Sequence, residues 1–287
     1  GQRGNSVPVS VTWGPRARLG FMRWWLIVWL VGCSSAENGA AQAARTEAPE
    51  PVARAPVTEE EVAPAGLSVA DWQAVLDGYA TADGGFRYAA LRADEGDRAR
   101  LEAFVRYVGE TDPSGWSRDA QLAFYIDAYN ALTVQAVLER WPLESVMRVE
   151  GFFDAIEHRV AGREMTLNAL ENDIIRSARF AEPRIHFAVN CASAGCPPLS
   201  RQAFAAENLE AQLEAQTDAF VRATTEVRGR RARLSQIFEW FAADFEAAGG
   251  VRAFVADHLE GVDAARVRDP RTRLAYTPYD WAINARE

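Results

Sequence analysis

The chain has 287 residues, with 40 acidic and 31 basic side chains and a formal net charge of -9. An acidic balance makes nucleic acid a poor partner, because neutralising phosphate dominates that affinity. All 31 basic residues are arginine, which excludes Schiff-base lysines, P-loop lysines and Ser-Lys dyads; no cofactor and no metal is expected.

Met22-Arg23 is followed by the apolar run Trp24-Trp25-Leu26-Ile27-Val28-Trp29-Leu30-Val31 and then Gly32-Cys33. A basic residue, a short apolar core and a small residue before a processing point read as a secretory signal. The run is much shorter than the roughly 20 residues of a membrane-spanning helix. Residues 1–33 are therefore read as a signal segment, with 22–33 its working part and 1–21 an extension. Leu30-Val31-Gly32-Cys33 resembles the lipobox of bacterial lipoproteins. That resemblance implies lipid on Cys33 and attachment to a membrane, and Ser34 in the next position implies the outer membrane, facing the periplasm.

Residues 34–66 are rich in Ala, Glu and Pro and lack aromatics. Such a stretch buries too little apolar surface to offset ordering and is expected to be a disordered tether. Residues 67–287 are enough for one well-buried domain. Helices are expected over Val69–Ala80 with Ser68 as cap, around Leu101–Val108, and after Ser117. In the last, Leu122, Tyr125, Ile126, Tyr129, Leu132, Ala136 and Val137 form one stripe that ends at Pro142. His158–Leu167 reads as a hairpin turning at Ala161-Gly162. Asn168-Ala169-Leu170-Glu171 has the form of a capping box, with Pro183 closing its helix. Ile185–Asn190 alternates as a buried strand, with His186 and Asn190 on one face. Helices over about 205–222, 236–246 and 250–260, a hairpin at Thr224–Leu234 and a strand or irregular end complete the reading. The expected fold class is α+β: a mostly helical single domain with a small antiparallel sheet and hairpins.

Several of these segments resemble the family called domain of unknown function 547. They are Phe124–Ala131, Leu167–Glu171, Ile185–Leu199 with its Cys191-Ala192-Ser193-Ala194-Gly195-Cys196-Pro197-Pro198 loop, Trp240, Asp244-Phe245 and Tyr279-Asp280-Trp281 with Asn284. The resemblance spans about residues 100–285. It implies a fold but no established reaction. It also implies that a cysteine at the position of Cys191 recurs in members with serine at that of Cys196.

Cys191 is the candidate nucleophile, since a thiolate is strongly nucleophilic once a nearby group lowers its pKa. His186 is the candidate base, though five residues from Cys191 it meets the thiol only if the chain turns after Asn190. His158 is the alternative and His258 a weaker one. Asn130 or Tyr279-Asp280-Trp281 is available to orient the imidazole. The loop's small residues invite a substrate toward backbone N–H groups, as an oxyanion site needs. Plainer roles stand beside these: a core histidine, a Cys191–Cys196 disulfide in an oxidising compartment, Glu171 as a cap, Asp127 and Asn130 as buttresses. Metal ligation by His186, Cys191 and Cys196 lacks the usual paired spacing. The Arg228-Gly229-Arg230-Arg231-Ala232-Arg233 run is either a solvated hairpin tip or a contact for an anionic surface. Two functions compete: a thiol-dependent hydrolase or acyl/peptidyl transferase using Cys191, and a non-catalytic module binding a peptide, glycan or small thiol.

Replacing Cys33 with Ser should release the mature protein from membranes into the soluble periplasmic fraction. Cell fractionation reads this directly, and unchanged membrane association rules the anchor out.

Overall fold

The computed structural model describes residues 69–287. The signal segment, the lipobox at Cys33, the tether and the Ser68 cap lie outside the described residues. Those described form a mostly helical α+β domain with two small sheets.

Its centre is α4 (Arg118–Glu139), capped by the Ser117 hydroxyl, which accepts from the Ala120 N–H. The sequence suggests a single apolar stripe, but from Gln121 to Leu138 every residue except Gln135 is buried. A helix enclosed on nearly all sides must satisfy its polar residues internally. Asp127 accepts from the Trp72 indole N–H at 3.1 Å and the Phe204 backbone N–H at 2.9 Å. It thereby ties α4 to α1 (Val69–Tyr79) and to the segment before α6 (Leu209–Thr224).

Helices α2 (Tyr88–Ala93) and α3 (Glu95–Glu110) complete the N-terminal half. Next comes an antiparallel hairpin, β1 (Glu157–Val160) with β2 (Arg163–Thr166). Its turn docks on the end of α3 through Ala161 N–H to Val108 C=O and Gly162 N–H to Gly109 C=O. The expected hairpin thus forms, turning where its Ala-Gly pair places it.

Two expectations fail here for local reasons. The helix after the hairpin is capped by Thr166, whose hydroxyl accepts from the Ala169 N–H at 3.1 Å, rather than by Asn168. It runs as α5 (Leu167–Ala169) into a π-helical turn (Leu170–Ile175) and ends well before Pro183. Glu171 faces the interior instead of reaching back to a cap. Ile185–Asn190 is not a strand: Pro183–Phe187 is a 3-10 turn, with Pro183 in its first turn and the Glu182 carboxylate accepting from the Arg184 N–H. All six residues 185–190 are buried, so alternation there carries no information about faces. A short apolar run cannot separate a strand from a buried helical turn.

The C-terminal half holds α7 (Ile237–Trp240), a 3-10 stretch (Ala242–Ala248), α8 (Gly250–Asp257), α9 (Gly261–Arg268) and a three-stranded sheet. Strands β3 (Glu226–Arg228) and β4 (Arg231–Ser235) pair antiparallel, and β5 (Arg273–Thr277) joins β4 in parallel. That one parallel pair departs from the antiparallel sheet expected; α7–α9 supply the crossover a parallel pair requires.

Asp127→Ala would strand two buried donors, and an unsatisfied buried group costs about 1–3 kcal/mol. The expected loss of stability is about 2–4 kcal/mol, read as a lower urea midpoint at unchanged slope.

Candidate functional site

The cysteine loop is held from below by α4. Asn130 donates from Nδ2 to the Ala188 carbonyl at 3.0 Å and accepts the Asn190 N–H on Oδ1 at 2.8 Å. Asn190 in turn donates to the Pro197 carbonyl and accepts the Ala192 N–H, each at 2.8 Å. This closes the loop on itself and holds Ala192 at φ +63, a left-handed conformation that a residue with a Cβ adopts only when its surroundings enforce it.

The C-terminal segment seals the outer side. Ala194 N–H donates to Ala282 C=O, Gly195 N–H to Asp280 C=O and Asn284 N–H to Ala192 C=O. A Cβ on Gly195 would lie 2.9 Å from the Asp280 nitrogen, so only glycine permits this approach. The N–H groups of residues 190, 191, 192, 194, 195 and 196 all donate within this assembly. They are not directed at a ligand, as an oxyanion site would require.

Cys191 and Cys196 are joined by a disulfide at the half-exposed mouth of the loop. Cys196 Sγ accepts the Cys191 N–H and the Tyr279 hydroxyl, each at 3.0 Å. Cys191 Sγ lies 3.1 Å from the Tyr279 hydroxyl and 3.2 Å from Ser193 Oγ. Burial pushes the Tyr279 phenol well up, keeping it protonated as a donor. Beside it, Trp240, Tyr279 and Trp281 form a half-exposed aromatic wall, with ring centroids 4.5–5.9 Å apart.

His186 is buried but engaged elsewhere. Its ring stacks on Phe241 at 4.0 Å, and Nε2 lies 2.7 Å from Asp244 Oδ2. Arg176 grips the same carboxylate with two bonds of 2.7 and 3.0 Å and lies over the Phe241 ring. Burial opposes ionisation of Asp244, yet the bonds from His186 and Arg176 outweigh it and hold that carboxyl below the usual range. Burial likewise lowers His186. Among the described residues no hydrogen bond links His186 to either cysteine.

Between these halves lies Glu171. Its carboxylate accepts the Tyr129 hydroxyl, and burial pushes it up to about 7, with Arg176 opposing. Tyr129, Glu171 and Tyr279 act on one another electrostatically. The sequence reads Glu171 as a cap and assigns Arg176 no role. The available signal is weak: Glu171 follows the apolar Leu170 and Arg176 follows Ile174-Ile175, but Asn172 and Asp173 between them make the segment read as an ordinary polar helix.

The other imidazoles are placed apart by their contacts. His158 sits in β1 with Nε2 buried and unpartnered, and burial lowers it. His258, the C-cap of α8, bonds Asp218 at 2.9 Å. Glu214, Asp218 and His258 are a group able to hold a metal, with ligand atoms within 4.8 Å of one another. Arg184 and Arg222 already engage its carboxylates, which makes it an ion-pair cluster.

Residues 113–221 match the family described as protein of unknown function, DUF547. No curated protein and no solved structure matches the chain. The match takes in α4, α5, the cysteine loop and most of α6. It is narrower than the 100–285 span of the resembling motifs, and Trp240, Asp244 and Tyr279, which complete the site, lie beyond it.

A carboxyl raised on folding withdraws stability as the pH rises. Below 4.5 both states hold the proton; from there the unfolded chain releases it while the folded chain keeps it to about 7. That loss is about 3 kcal/mol. The stability of the parent minus that of Glu171→Gln should therefore fall by about this amount between pH 4 and pH 8 in urea titrations; a constant difference contradicts the assignment.

Proposed function

We propose that this chain is a lipid-anchored protein of the bacterial envelope that carries out thiol–disulfide exchange at the Cys191–Cys196 loop, with Cys191 as the sulfur that takes the substrate thiol. The observation that carries this reading is the Cys191 N–H directed at Cys196 Sγ at 3.0 Å, a fixed backbone donor on that sulfur beside the Tyr279 hydroxyl, which stands 3.0 Å from Cys196 Sγ and 3.1 Å from Cys191 Sγ. A sulfur whose thiolate is stabilised leaves faster in exchange. An incoming thiolate attacks Cys191 Sγ and forms a new S–S bond; the 191–196 bond breaks, and its electron pair goes to Cys196 as thiolate. A second external thiolate then attacks the substrate sulfur of the mixed disulfide; the bond to Cys191 breaks, its electron pair goes to Cys191 as thiolate, and an external disulfide is released. The protein is left as the 191/196 dithiol, which an external disulfide reoxidises by the same steps in reverse.

Hydrolysis or acyl or peptidyl transfer by Cys191 draws less support. It needs a base beside the thiol, but among the described residues no hydrogen bond links His186 to Cys191, and it needs free donors, but the loop N–H groups are used internally. The runner-up is a binding module for a peptide, a glycan or a small thiol, favoured by the half-exposed wall of Trp240, Tyr279 and Trp281.

The test is trapping. Reduced Cys196→Ser treated with glutathione disulfide should accumulate a mixed disulfide on Cys191. Reduced Cys191→Ser should accumulate several-fold less, because free glutathione attacking the bound glutathione sulfur readily displaces the stabilised Cys196 thiolate. Mass spectrometry of intact protein measures both. Equal labelling of the two variants, or none of either, contradicts the exchange reading and leaves the binding module ahead.

A further inference from the structure

The sheet of β3, β4 and β5 gathers arginines on one side. Arg228 pairs with Arg231, and Arg231 pairs with Arg273, so three guanidinium side chains stand abreast across all three strands. Directly paired residues project to the same face of a sheet. Two residues along β4, Arg233 stands on that face too, paired with Glu226 and Ala275. The opposite face carries Ala232 and Leu234, both buried against the domain. All four arginines are exposed.

Like charges placed directly opposite on neighbouring strands are destabilising, and here Glu226 is the one acidic residue paired among them. Only Arg228 has a salt bridge, a 3.7 Å contact to the exposed Glu226. Among the described residues no salt bridge engages Arg231, Arg233 or Arg273, nor Arg230 at the turn beside them. The chain as a whole carries -9, so this concentration of positive charge runs against its composition. Planar guanidinium forks match phosphate oxygens in two-bond geometry.

We infer that the exposed face of this sheet is a docking surface for the phosphate headgroups of an anionic lipid bilayer. The choice of lipid among anionic partners rests on the reading of Cys33 as a lipid anchor, which keeps the domain beside such a surface. An acidic chain held on a lipid surface is otherwise repelled by anionic headgroups, and a basic face sets which side turns toward them.

The experiment uses the chain from residue 33 onward carrying Cys33→Ser, so that no acyl chain contributes. It is sedimented at low salt with vesicles of phosphatidylcholine alone and of phosphatidylcholine with phosphatidylglycerol. Binding should require phosphatidylglycerol and fall away at high salt. The triple variant Arg231→Gln, Arg233→Gln, Arg273→Gln should weaken it roughly fivefold per arginine, hence about a hundredfold. Its melting temperature should stay unchanged or rise, since exposed like charges are removed. Equal binding to both vesicle types, or undiminished binding by the folded triple variant, overturns the inference. The anchor is judged separately by fractionation, so either idea can fail while the other stands.

Discussion

The double hydrogen bond between Asn130 and the backbone at Ala188 and Asn190 is the constraint on which the site is built. A side-chain amide offers one acceptor and two donors, and here it supplies on the α4 side of the loop the backbone partners that the C-terminal segment supplies on the other. Asn190 extends the same logic by bonding Ala192 and Pro197. The loop is thereby closed tightly enough to hold Ala192 at positive φ and to bring residues five apart, Cys191 and Cys196, into contact at its mouth. Such polar contacts can be made inside the protein because α4 is enclosed and every partner is satisfied; buried amides without partners would cost more than they contribute.

From that frame the chemistry divides into two connected parts. One is the sulfur pair with Tyr279 and Ser193, half-exposed and supplied with hydroxyl donors. The other is the His186–Asp244–Arg176 ion cluster packed on Phe241. Glu171 and Tyr129 stand between them. Separating the imidazole from the thiol removes the usual nucleophile–base pair and leaves sulfur chemistry governed by hydrogen-bond donors. Buried, charge-compensated clusters of this kind hold elements in place, and the bidentate Arg176–Asp244 contact fixes the 3-10 stretch after α7 against the helix that carries Glu171.

The sequence allowed much of the fold to be read, and the reasons differ by element. The Ser117 cap, the Ala161-Gly162 turn and the Gly229 turn are local signals that tertiary contacts do not override, and each stands where its residues place it. Ile185–Asn190 failed because periodicity reports faces, and a segment buried on all sides has none; Pro183 and Glu182 were the truer guides to a helical turn. Glu171 was missed because a capping-box spelling has the same letters as an interior carboxylate, and only burial separates them. That Cys191 and Cys196 can pair was legible from their shared small-residue loop. The relation of Cys191 to His186 was not, since Asp244 lies 58 residues away from that imidazole in the chain.

The most direct measurement is the ionisation of the Cys196 thiol. In a chain carrying Cys33→Ser and Cys191→Ser it is the only thiol, and thiolate absorbance reports it without interference from others. If the Tyr279 hydroxyl and the backbone N–H of residue 191 stabilise a leaving thiolate, its pKa lies below the free value of about 8.5 and returns toward that value in Tyr279→Phe. A pKa at or above about 8.5 that is indifferent to Tyr279 contradicts the account.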